Sequence, residues 1–322
     1  MAQNANAVET YDVTTIREDI SDLLKSISPT DTPIYSMAKQ RSAGNTYVEF
    51  AELDLATAVN NNAVAEGDNP TNDAGTLPVR KGTYTQIADK LVEVTSTDEA
   101  VNGVAGAQKL ASQIAFKVKE LKRDIEMSLT KNAIGNAGAG NGATARVTAG
   151  LPAWLSSNSS RGTSGADPTV SGGVPNAGAT DGTQRNISET LLSDVVASCW
   201  ENGADPKQIV CGSAVKQAIS GFSGNASKYL DYAGQGMGER AIIAGFSVYE
   251  SDFGRMTVSP NRFQRGRDCF VLDPEHIHVA TLQPLTQKPL AKTGHGSRTL
   301  IATEYGFYAY HKANGIVADL NT

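Results

Sequence analysis

Histidine offers the most versatile side-chain chemistry in this sequence, and the chain contains four: His276, His278, His295 and His311. His276 and His278 alternate along a predicted strand and therefore share one of its faces, close to Asp273 and Glu275. Imidazole and carboxylate groups are common ligands of zinc. A metal site would need one or two further ligands, and no spacing in the sequence supplies them. We therefore interpret the pair as half-exposed strand residues and predict no metal site.

Familiar catalytic motifs do not occur in the sequence. It has no HExxH pair, no GxSxG nucleophile elbow, no Walker motif and no EF-hand loop. The glycine-rich stretch GNAGAGNG follows a predicted helix rather than a strand, and it lacks the Lys-Ser/Thr ending of a phosphate loop. A second stretch, AGQGMGER at residues 233–240, is only a loop beside a basic residue. We predict no catalytic residues and no cofactor.

The cysteines do not predict a bonded framework. Cys199, Cys211 and Cys269 include no CxxC pair, and their odd number does not suit a set of disulfides. Each has apolar neighbours. We interpret all three as small buried hydrophobic residues of a protein in a reducing compartment.

The composition is that of a globular chain with a lightly charged surface. Its 322 residues suffice for one large domain or two ordinary ones, with 40% hydrophobic and 19% charged residues. The net charge of −6 argues against non-specific nucleic-acid binding over the whole surface, which requires clustered lysine and arginine. The N-terminal MAQNANAVET lacks the features of a signal peptide, and no run of about 18 apolar residues predicts a membrane span. We expect no membrane partner.

The front of the chain is predicted to be an arm rather than a core. Apolar residues at helical spacing predict a short helix over residues 15–27, which must end before Pro29. Strands are predicted over residues 46–53 and 82–97. The polar segment between them is too long for a tight hairpin, and such loops are usually functional or disordered. Since nine extended residues span roughly 30 Å, we expect the two strands and this segment to project from the body.

The clearest element is a long amphipathic helix predicted over residues 104–133, roughly 45 Å in length at the usual rise per residue. We expect Thr97 or Asp98 to cap its start and Gly135 to end it. Its apolar stripe advances in steps of three and four residues, and comprises Val104, Ala107, Ala111, Ile114, Val118, Leu121, Ile125 and Leu129.

Charged residues occupy the rest of that helix surface. Lys119, Lys122 and Glu126 are predicted to face away from the sheet, with Lys122 and Glu126 forming an i,i+4 pair. A basic face of this kind can contact DNA or a partner such as calmodulin. A solvated face is the far more common use, and we favour it.

The middle of the chain carries few order signals. We predict a mostly flexible connection over residues 135–186. Only the stretch GLPAWLSS interrupts it, and there Leu151, Trp154 and Leu155 are expected to anchor on the core.

The remaining residues predict a small α/β unit followed by a β-rich region. The α/β unit comprises a helix capped by Asn186 or Ser188 and ended by Gly203, the buried strand KQIVCG, and the helix SAVKQAISGF. The chain then ends in a long strand, an Asn-Gly turn at residues 314–315 and a return strand that would pair with it as a hairpin.

The order of these elements resembles the Hong Kong 97-type capsid subunit, an α+β fold with an N-terminal arm, an extended loop (E-loop), a long spine helix, and peripheral and axial domains. Seven stretches resemble tailed-phage major capsid (major head) proteins of the SU-ten-like group: DISDLLKSISPTDTPIYSM, NTYVEFAELDLATAVNNNAVAEGD, TQIADKLVEVTST, ELKRDIEMSLTKN, GLPAWLSSN, DPKQIVCGSAVKQAI and YESDFGRMTVSPNR. The stretches are distributed along the sequence, so that the resemblance extends over almost the whole chain. Residues 156–186 depart from that pattern because they are longer and richer in glycine and serine.

The resemblance implies how the chain is divided. The implied regions are an N-terminal arm at 1–45, the extended loop at 46–97, a peripheral domain at 98–186 with the spine helix at 104–133 and a Gly/Ser-rich loop at 156–186, an axial domain at 187–260, and returning β-strands at 261–322.

The resemblance also implies a structural protein rather than an enzyme, which self-assembles into the icosahedral head shell around the double-stranded DNA of a tailed bacteriophage. Such a shell is a homo-oligomer of hexamers and pentamers that contacts its DNA without sequence specificity. It is part of the virion and is assembled in the bacterial host cytoplasm. Portal, scaffolding and decoration proteins are candidate partners. Only a short arm precedes the family match, so we expect no fused scaffold.

In such shells the extended loop lies across neighbouring subunits. The resemblance therefore implies an inter-subunit contact at the loop tip, at Asn60, Asn61, Asn62, Glu66, Asp68, Arg80 and Lys81. Covalent crosslinking through an extended-loop lysine such as Lys81 occurs in this fold type. We do not expect it here, because no specific trio of lysine, asparagine and glutamate can be identified.

Two other functions stay open at this point. An encapsulin-like shell shares the fold but encloses protein cargo instead of DNA. A β-rich hydrolase or surface-binding protein would form a small oligomer instead of a megadalton assembly.

Overall fold

The computed structural model of the chain describes residues 28–69, 75–101, 109–140, 142–222, 247–292 and 294–322. The helix predicted over residues 15–27 and the glycine-rich loop at residues 233–240 lie outside the described residues.

Helices and strands alternate without a repeating βαβ pattern, as expected for an α+β fold. The helices in the described residues are α1 (Pro33–Met37), α2 (Ser96–Ala100), α3 (Leu110–Thr130), α4 (Leu151–Trp154), α5 (Glu189–Glu201) and α6 (Ser213–Ser220). The strands there are β1 (Lys39–Ser42), β2 (Tyr47–Glu52), β3 (Val79–Tyr84), β4 (Gln86–Thr95), β5 (Ser159–Ser160), β6 (Thr169–Ser171), β7 (Val174–Ala177), β8 (Gln208–Cys211), β9 (Val248–Ser251), β10 (Gly254–Pro260), β11 (Cys269–Leu272), β12 (Ile277–Pro289), β13 (Gly296–Ala309) and β14 (Gly315–Val317).

Two sheets organise the fold. The first has the order β1-β12-β13-β4 and packs against helix α3. The second has the order β5-β14-β11-β8-β10-β9. Side chains of β8 and β11 alternate between two hydrophobic clusters: Val210 and Phe270 join the cluster that contains α3, whereas Ile209 and Val271 join the cluster that contains α5 and α6. Burial on both faces explains why these strands are continuous apolar runs.

The strand predicted over residues 82–97 is wrong in two respects, because it is interrupted at Thr85 and because Ser96 and Thr97 belong to α2. Strand β3 lies before the break and pairs with β2, whereas β4 lies after it and pairs with β13. Thr85 is fully buried, and its hydroxyl donates a hydrogen bond to Glu304 Oε1 at 2.6 Å. This contact lies at the point where the chain leaves the projecting hairpin and enters the first sheet.

The amphipathic helix α3 packs as the stripe predicts from Ile114 onward, although Ala111 is exposed and the predicted ends are wrong. Val104 and Ala107 of the predicted stripe lie outside the described residues. Leu121, Ile125 and Leu129 are buried in the core, and Ile114 and Val118 pack beside them. The predicted caps do not act on this helix. Thr95 caps α2 instead, and the first amide of α3 donates to Glu99 Oε2 at 2.9 Å. The helix ends at Thr130, five residues before Gly135, where the Thr130 hydroxyl donates to Phe263 O at 3.1 Å.

Glu126 was predicted to face solvent and to pair with Lys122, and both predictions are wrong. The Glu126 side chain is fully buried, whereas Lys122 is exposed. The Glu126 Oε1 atom accepts hydrogen bonds from Ile34 N–H at 3.0 Å and from Asn261 Nδ2 at 2.6 Å. The Glu126 Oε2 atom accepts one from Tyr35 N–H at 2.8 Å. One carboxylate on α3 therefore holds α1, from the front of the chain, and the loop that follows β10.

The segment at 135–186 is far more structured than the flexible connection predicted for it. It contains α4 and the strands β5, β6 and β7, and Leu151, Trp154 and Leu155 are buried in the core as expected. The indole N–H of Trp154 donates to Phe307 O at 3.2 Å, which satisfies the one polar group of this anchor.

The α/β unit forms largely as predicted. The Ser188 hydroxyl caps α5 by accepting a hydrogen bond from Leu191 N–H, and β8 and α6 occupy the predicted positions. The hairpin predicted at the C-terminal end is wrong, because β14 pairs with β11 and β5 in the second sheet, whereas β13 belongs to the first. The three cysteines are free and buried, as expected for small hydrophobic residues.

The packing of α3 yields a paired prediction. We expect Leu121→Ala to lower the unfolding free energy of the unassembled subunit by about 2–5 kcal/mol, the usual cost of a buried large-to-small change. Lys122→Ala, one residue further along the same helix, is expected to change it by no more than about 0.5 kcal/mol, because the Lys122 side chain is exposed. Urea denaturation measures both. Equal unfolding free energies for the two variants would contradict the observed orientation of the helix.

Candidate functional site

The projecting element is the antiparallel hairpin of β2 and β3, which are in register from Tyr47 opposite Tyr84 to Glu52 opposite Val79. Alternate side chains of β2 anchor it. Val48 and Phe50 are buried, and the Phe50 ring stacks on Tyr308 with 4.5 Å between ring centroids. The alternation of apolar and polar residues in β2 therefore turns one face of the hairpin onto the core.

The β3 end of the hairpin is held by buried hydroxyl groups. The Thr83 and Thr148 hydroxyls lie 3.2 Å apart, and the Thr148 hydroxyl also accepts a hydrogen bond from Phe307 N–H at 2.8 Å. Glu304, which accepts from Thr85, also pairs with Arg146 at 2.6 Å. These contacts fix the base of the hairpin to the first sheet.

Beyond Glu52 the loop leaves the body of the protein. In the described parts, residues 53–69 and 75–78, every residue is exposed and none belongs to a helix or strand. A turn occurs where Asp68 N–H donates to Ala65 O at 3.1 Å, and Gly67 supplies the required positive φ of 84°.

The predicted contact residues occupy two different environments. Asn60, Asn61 and Asn62 are exposed in the loop, and Glu66 and Asp68 are exposed at its turn. Arg80 is exposed on β3 and forms an ion pair with Glu49. These six residues are open to a partner, and their contact with another subunit stays a prediction.

Lys81 differs from the other six. Its side chain is only 14% exposed, and its amine forms an ion pair with Glu52 across the hairpin. Glu52 also lies 3.4 Å from the Nε2 atom of His311. Lys81 therefore serves its own subunit within the hairpin, which makes it the weakest of the seven as a contact residue.

Glu52, the last residue of β2, is the electrostatic centre of the loop-side end of the hairpin. Burial by itself would raise its pKa, but hydrogen bonds and charge from His311 and Lys81 lower the pKa to about 2. The Nδ1 atom of His311 lies 2.8 Å from the Ser157 hydroxyl, which connects this end of the hairpin to the segment after α4. Of the histidines noted in the sequence, His311 thus has a defined structural role.

We expect Glu52→Gln to lower the unfolding free energy by about 1–3 kcal/mol at neutral pH, the cost of leaving a buried partner unpaired. Because the folded pKa lies below the ordinary value, the stabilisation is present at pH values above about 4.5 and is lost as the pH falls towards 2. Urea denaturation at pH 7 and pH 3 should therefore show a smaller difference between variant and wild type at pH 3.

Glu49→Gln is the matched control for Glu52→Gln. Glu49 lies on the same strand and pairs with Arg80, whose side chain is 73% exposed, so we expect a change within about 0.5 kcal/mol. A Glu52→Gln effect as small as that of Glu49→Gln would contradict the role given to Glu52.

Apolar side chains of the loop were missed by the sequence analysis. Six of them are more than half exposed: Leu53, Leu55, Val59, Val64, Leu77 and Val79. Single exposed apolar residues are common, but a group of them in one projecting segment is typical of an interaction surface. The sequence does carry a signal for these residues: they are apolar, they lie in a polar segment, and they follow neither helical nor strand periodicity.

The pair His276 and His278 does not share a strand face, because His276 lies in a 3-10 turn (Pro274–His276) and only His278 lies on β12. Both border an open cleft of about 470 Å³ that also contacts Glu52 and Tyr310. The Nδ1 atom of His276 lies 2.7 Å from Asp273 Oδ2, and the His278 ring stacks on Tyr308. Within the described residues, no group of three or more histidine, cysteine, aspartate and glutamate side chains is arranged to hold a metal ion.

Among the residues that the structure describes, no helix is long and apolar enough to cross a membrane.

Solved structures with the same fold come from viral and encapsulin shells. The Cyanophage A-1(L) capsid asymmetric unit matches with a TM-score of 0.64 at 11% identity, covering 98% of this chain and 99% of that chain. A structure from Mycobacterium phage Bobi matches with a TM-score of 0.61 at 11% identity, covering 98% and 100%. A holo encapsulin complex from Synechococcus elongatus matches with a TM-score of 0.53 at 8% identity, covering 95% and 92%. These matches confirm the Hong Kong 97-type fold.

Sequence comparisons are more specific than the fold. The major capsid protein of Escherichia phage Phieco32 is 30% identical over 126 residues, which is 39% of this chain. The match spans only 36% of that curated relative. The sequence profile of the SU10 major capsid proteins, in contrast, matches residues 4–321. Because this match extends over nearly the entire chain, the protein belongs to the SU10 major capsid protein family.

Proposed function

We propose that this chain builds the icosahedral head shell of a tailed bacteriophage from hexamers and pentamers, and that the shell encloses double-stranded DNA without reading its sequence. The profile match over residues 4–321 carries the proposal. The projecting loop with its exposed apolar side chains supports it, since a surface of that kind needs a partner. In this proposal the partner is another copy of the chain.

The loop contact is proposed to combine apolar and polar groups. Leu55, Val59 and Leu77 are more than 70% exposed and would supply the apolar area. Asn60, Asn61, Asn62, Glu66, Asp68 and Arg80 would form its polar rim. Each contact is repeated by every copy, so contacts that are weak individually add up to a stable shell.

The division into domains is part of the same proposal. We assign the first sheet and α3 to the peripheral domain, and α5, α6 and the second sheet to the axial domain. The projecting hairpin is then residues 47–84 rather than the whole of 46–97, because β4 pairs within the first sheet. We also propose that the shell is part of the virion, is assembled in the host cytoplasm, and meets portal, scaffolding or decoration proteins there.

An encapsulin-like container is the second candidate, because the encapsulin complex has the same fold. The family match favours the viral head. Proteins of a capsid family are structural, so the hydrolase or surface-binding alternative has less support. A purely structural role for this chain is part of the proposal.

The test is to express the full chain and to measure particle mass by sedimentation, with electron microscopy of the product. We expect closed shells of megadalton mass. A small oligomer under all assembly conditions would contradict the proposal. Particles from phage-infected cells should contain double-stranded DNA, whereas protein cargo in its place would favour the encapsulin-like function.

A further inference from the structure

The Gly/Ser-rich segment contains a tight hairpin formed by β6 and β7. Its two-residue turn is Gly172-Gly173, and both residues have a positive φ, 63° and 86°. Two-residue hairpin turns of type I′ require positive φ at both central positions. Glycine adopts positive φ without strain. The turn alone therefore explains why both positions are glycine.

Gly173 of this turn contacts another part of the chain. The Gly173 carbonyl accepts a hydrogen bond from Gly82 N–H at 2.8 Å. A Cβ atom on Gly173 would lie 2.6 Å from the Arg80 carbonyl oxygen, too close for any real side chain. A Cβ atom on Gly172 would meet nothing within 4 Å. The hairpin tip is thus in backbone-to-backbone contact with β3, the strand that follows the projecting loop.

The other end of the hairpin is fixed to the chain that follows α3. Asn132 Nδ2 donates to Ala179 O at 2.7 Å, and Asn132 Oδ1 accepts from Ala179 N–H at 3.1 Å. Gly135 N–H donates to Pro175 O at 3.3 Å. The β6–β7 hairpin therefore spans the gap between the end of α3 and strand β3.

We propose that the β6–β7 hairpin is a brace that sets the direction of the projecting β2–β3 hairpin, and that Gly173 is the positioning residue at its contact. A rotation at Gly82 would displace the loop by an amount that grows with distance from the base. Small changes at the brace would then move the contact surface out of register with a neighbouring copy. The proposal rests on the proposed shell function, and it gives the Gly/Ser-rich segment a role in that function.

A simpler role would be to cover the free edge of β3, as many proteins do with exposed strands. In that case a disturbed contact would lower subunit stability without changing where the loop points. The two roles differ in their effect on assembly at equal stability.

Gly173→Ala and Gly172→Ala separate the brace from the turn. Both variants place an L side chain at positive φ in the same turn, but only Gly173→Ala collides with β3. The first measurement is hydrogen exchange at the Gly82 amide in unassembled subunits. We expect exchange on the order of tenfold faster in Gly173→Ala than in Gly172→Ala, because only the former loses the Gly82 hydrogen bond.

The second measurement is the yield of closed particles at matched subunit concentration. We expect a severalfold lower yield, or aberrant particles, from Gly173→Ala and a near wild-type yield from Gly172→Ala. Asn132→Ala removes the hydrogen bonds at the far end of the brace and should also lower the yield. It replaces Gly173→Ala as the test variant if Gly173→Ala does not fold.

Each result bears on one proposal. Equal exchange at Gly82 in the two glycine variants would overturn the brace, whether or not particles form. Equal particle yields would overturn its role in assembly. If the wild-type chain formed no particles, the shell function itself would fail, and the role of the brace in assembly would fail with it.

Discussion

Deleting residues 58–78 and closing the gap with a short Gly/Ser turn is expected to abolish closed particles while leaving a folded subunit. The described residues of this stretch are all exposed, so the core loses nothing when they are removed. Val48 and Phe50, which seat the hairpin, remain in place. Particle yield is measured by sedimentation, and subunit folding by thermal unfolding of the unassembled protein. We expect an unfolding midpoint close to that of the wild type.

A replacement segment of the same length tests whether the deletion acts only by making the loop too short to contact a neighbouring subunit. Exchanging residues 58–78 for a Gly/Ser segment keeps the loop long enough to meet a neighbour but removes its side chains. If side chains form the contact, this variant should also fail to assemble. Normal-sized particles from the deletion variant would contradict the proposed contact.

Two narrower variants separate the apolar and polar parts of the surface. Changing Leu55, Val59 and Leu77 to serine should reduce particle yield strongly, because the apolar area is lost. Changing Asn60, Asn61 and Asn62 to alanine should reduce it less, since rim residues contribute little energy to interfaces. The opposite order would place the main contact at the asparagines that the sequence analysis singled out.

Elements defined by local chemistry could be predicted from the sequence. The Ser188 cap depends on a hydroxyl at the start of an apolar periodic run, and such caps act over three residues. The stripe of α3 is visible because an apolar face at helical spacing has to be buried somewhere. These signals do not depend on the rest of the fold.

Elements defined by distant partners could not be predicted in this way. The break at Thr85 depends on Glu304, more than two hundred residues later in the chain. Strand β14 pairs with β11 instead of its sequence neighbour β13, and the Asn-Gly signal of a hairpin cannot report that choice. Sequence pattern identifies a strand, but its neighbours in a sheet are set by tertiary packing.

The candidate site shows the same division. The projecting loop was predictable because its residues have no core periodicity. The side-chain pairings inside the hairpin were not predictable. Lys81 lies opposite Phe50 in the hairpin register, and the ion pair between Lys81 and Glu52 depends on that register. Charge at a position in the sequence therefore did not reveal which residues are open to a partner.

Glu126 is the strongest case of a residue that the sequence misrepresents. Its position beside the stripe of α3 and near Lys122 is typical of a solvated glutamate. In the fold it has no cation partner among its hydrogen-bonding groups, and its three donors come from Ile34, Tyr35 and Asn261. Burial raises its pKa, although these hydrogen bonds work in the opposite direction. The carboxylate therefore stabilises the fold through the hydrogen bonds that its two oxygens accept, rather than through a favourable charge interaction.

We expect Glu126→Ala to lower the unfolding free energy of the unassembled subunit by about 3–5 kcal/mol. The change leaves three donors without an acceptor, two of them buried and one partly buried, and each buried donor costs about 1–3 kcal/mol before the structure relaxes. Glu126→Gln should be milder, because its amide retains one oxygen but turns an N–H group towards a donor. Glu120→Ala is the control on the same helix, since Glu120 forms a partly exposed pair with Lys117 and should cost at most about 0.5 kcal/mol. Urea denaturation of the three variants measures the differences, and a Glu126→Ala subunit as stable as Glu120→Ala would show that the carboxylate does not hold α1 and the β10–β11 loop to α3.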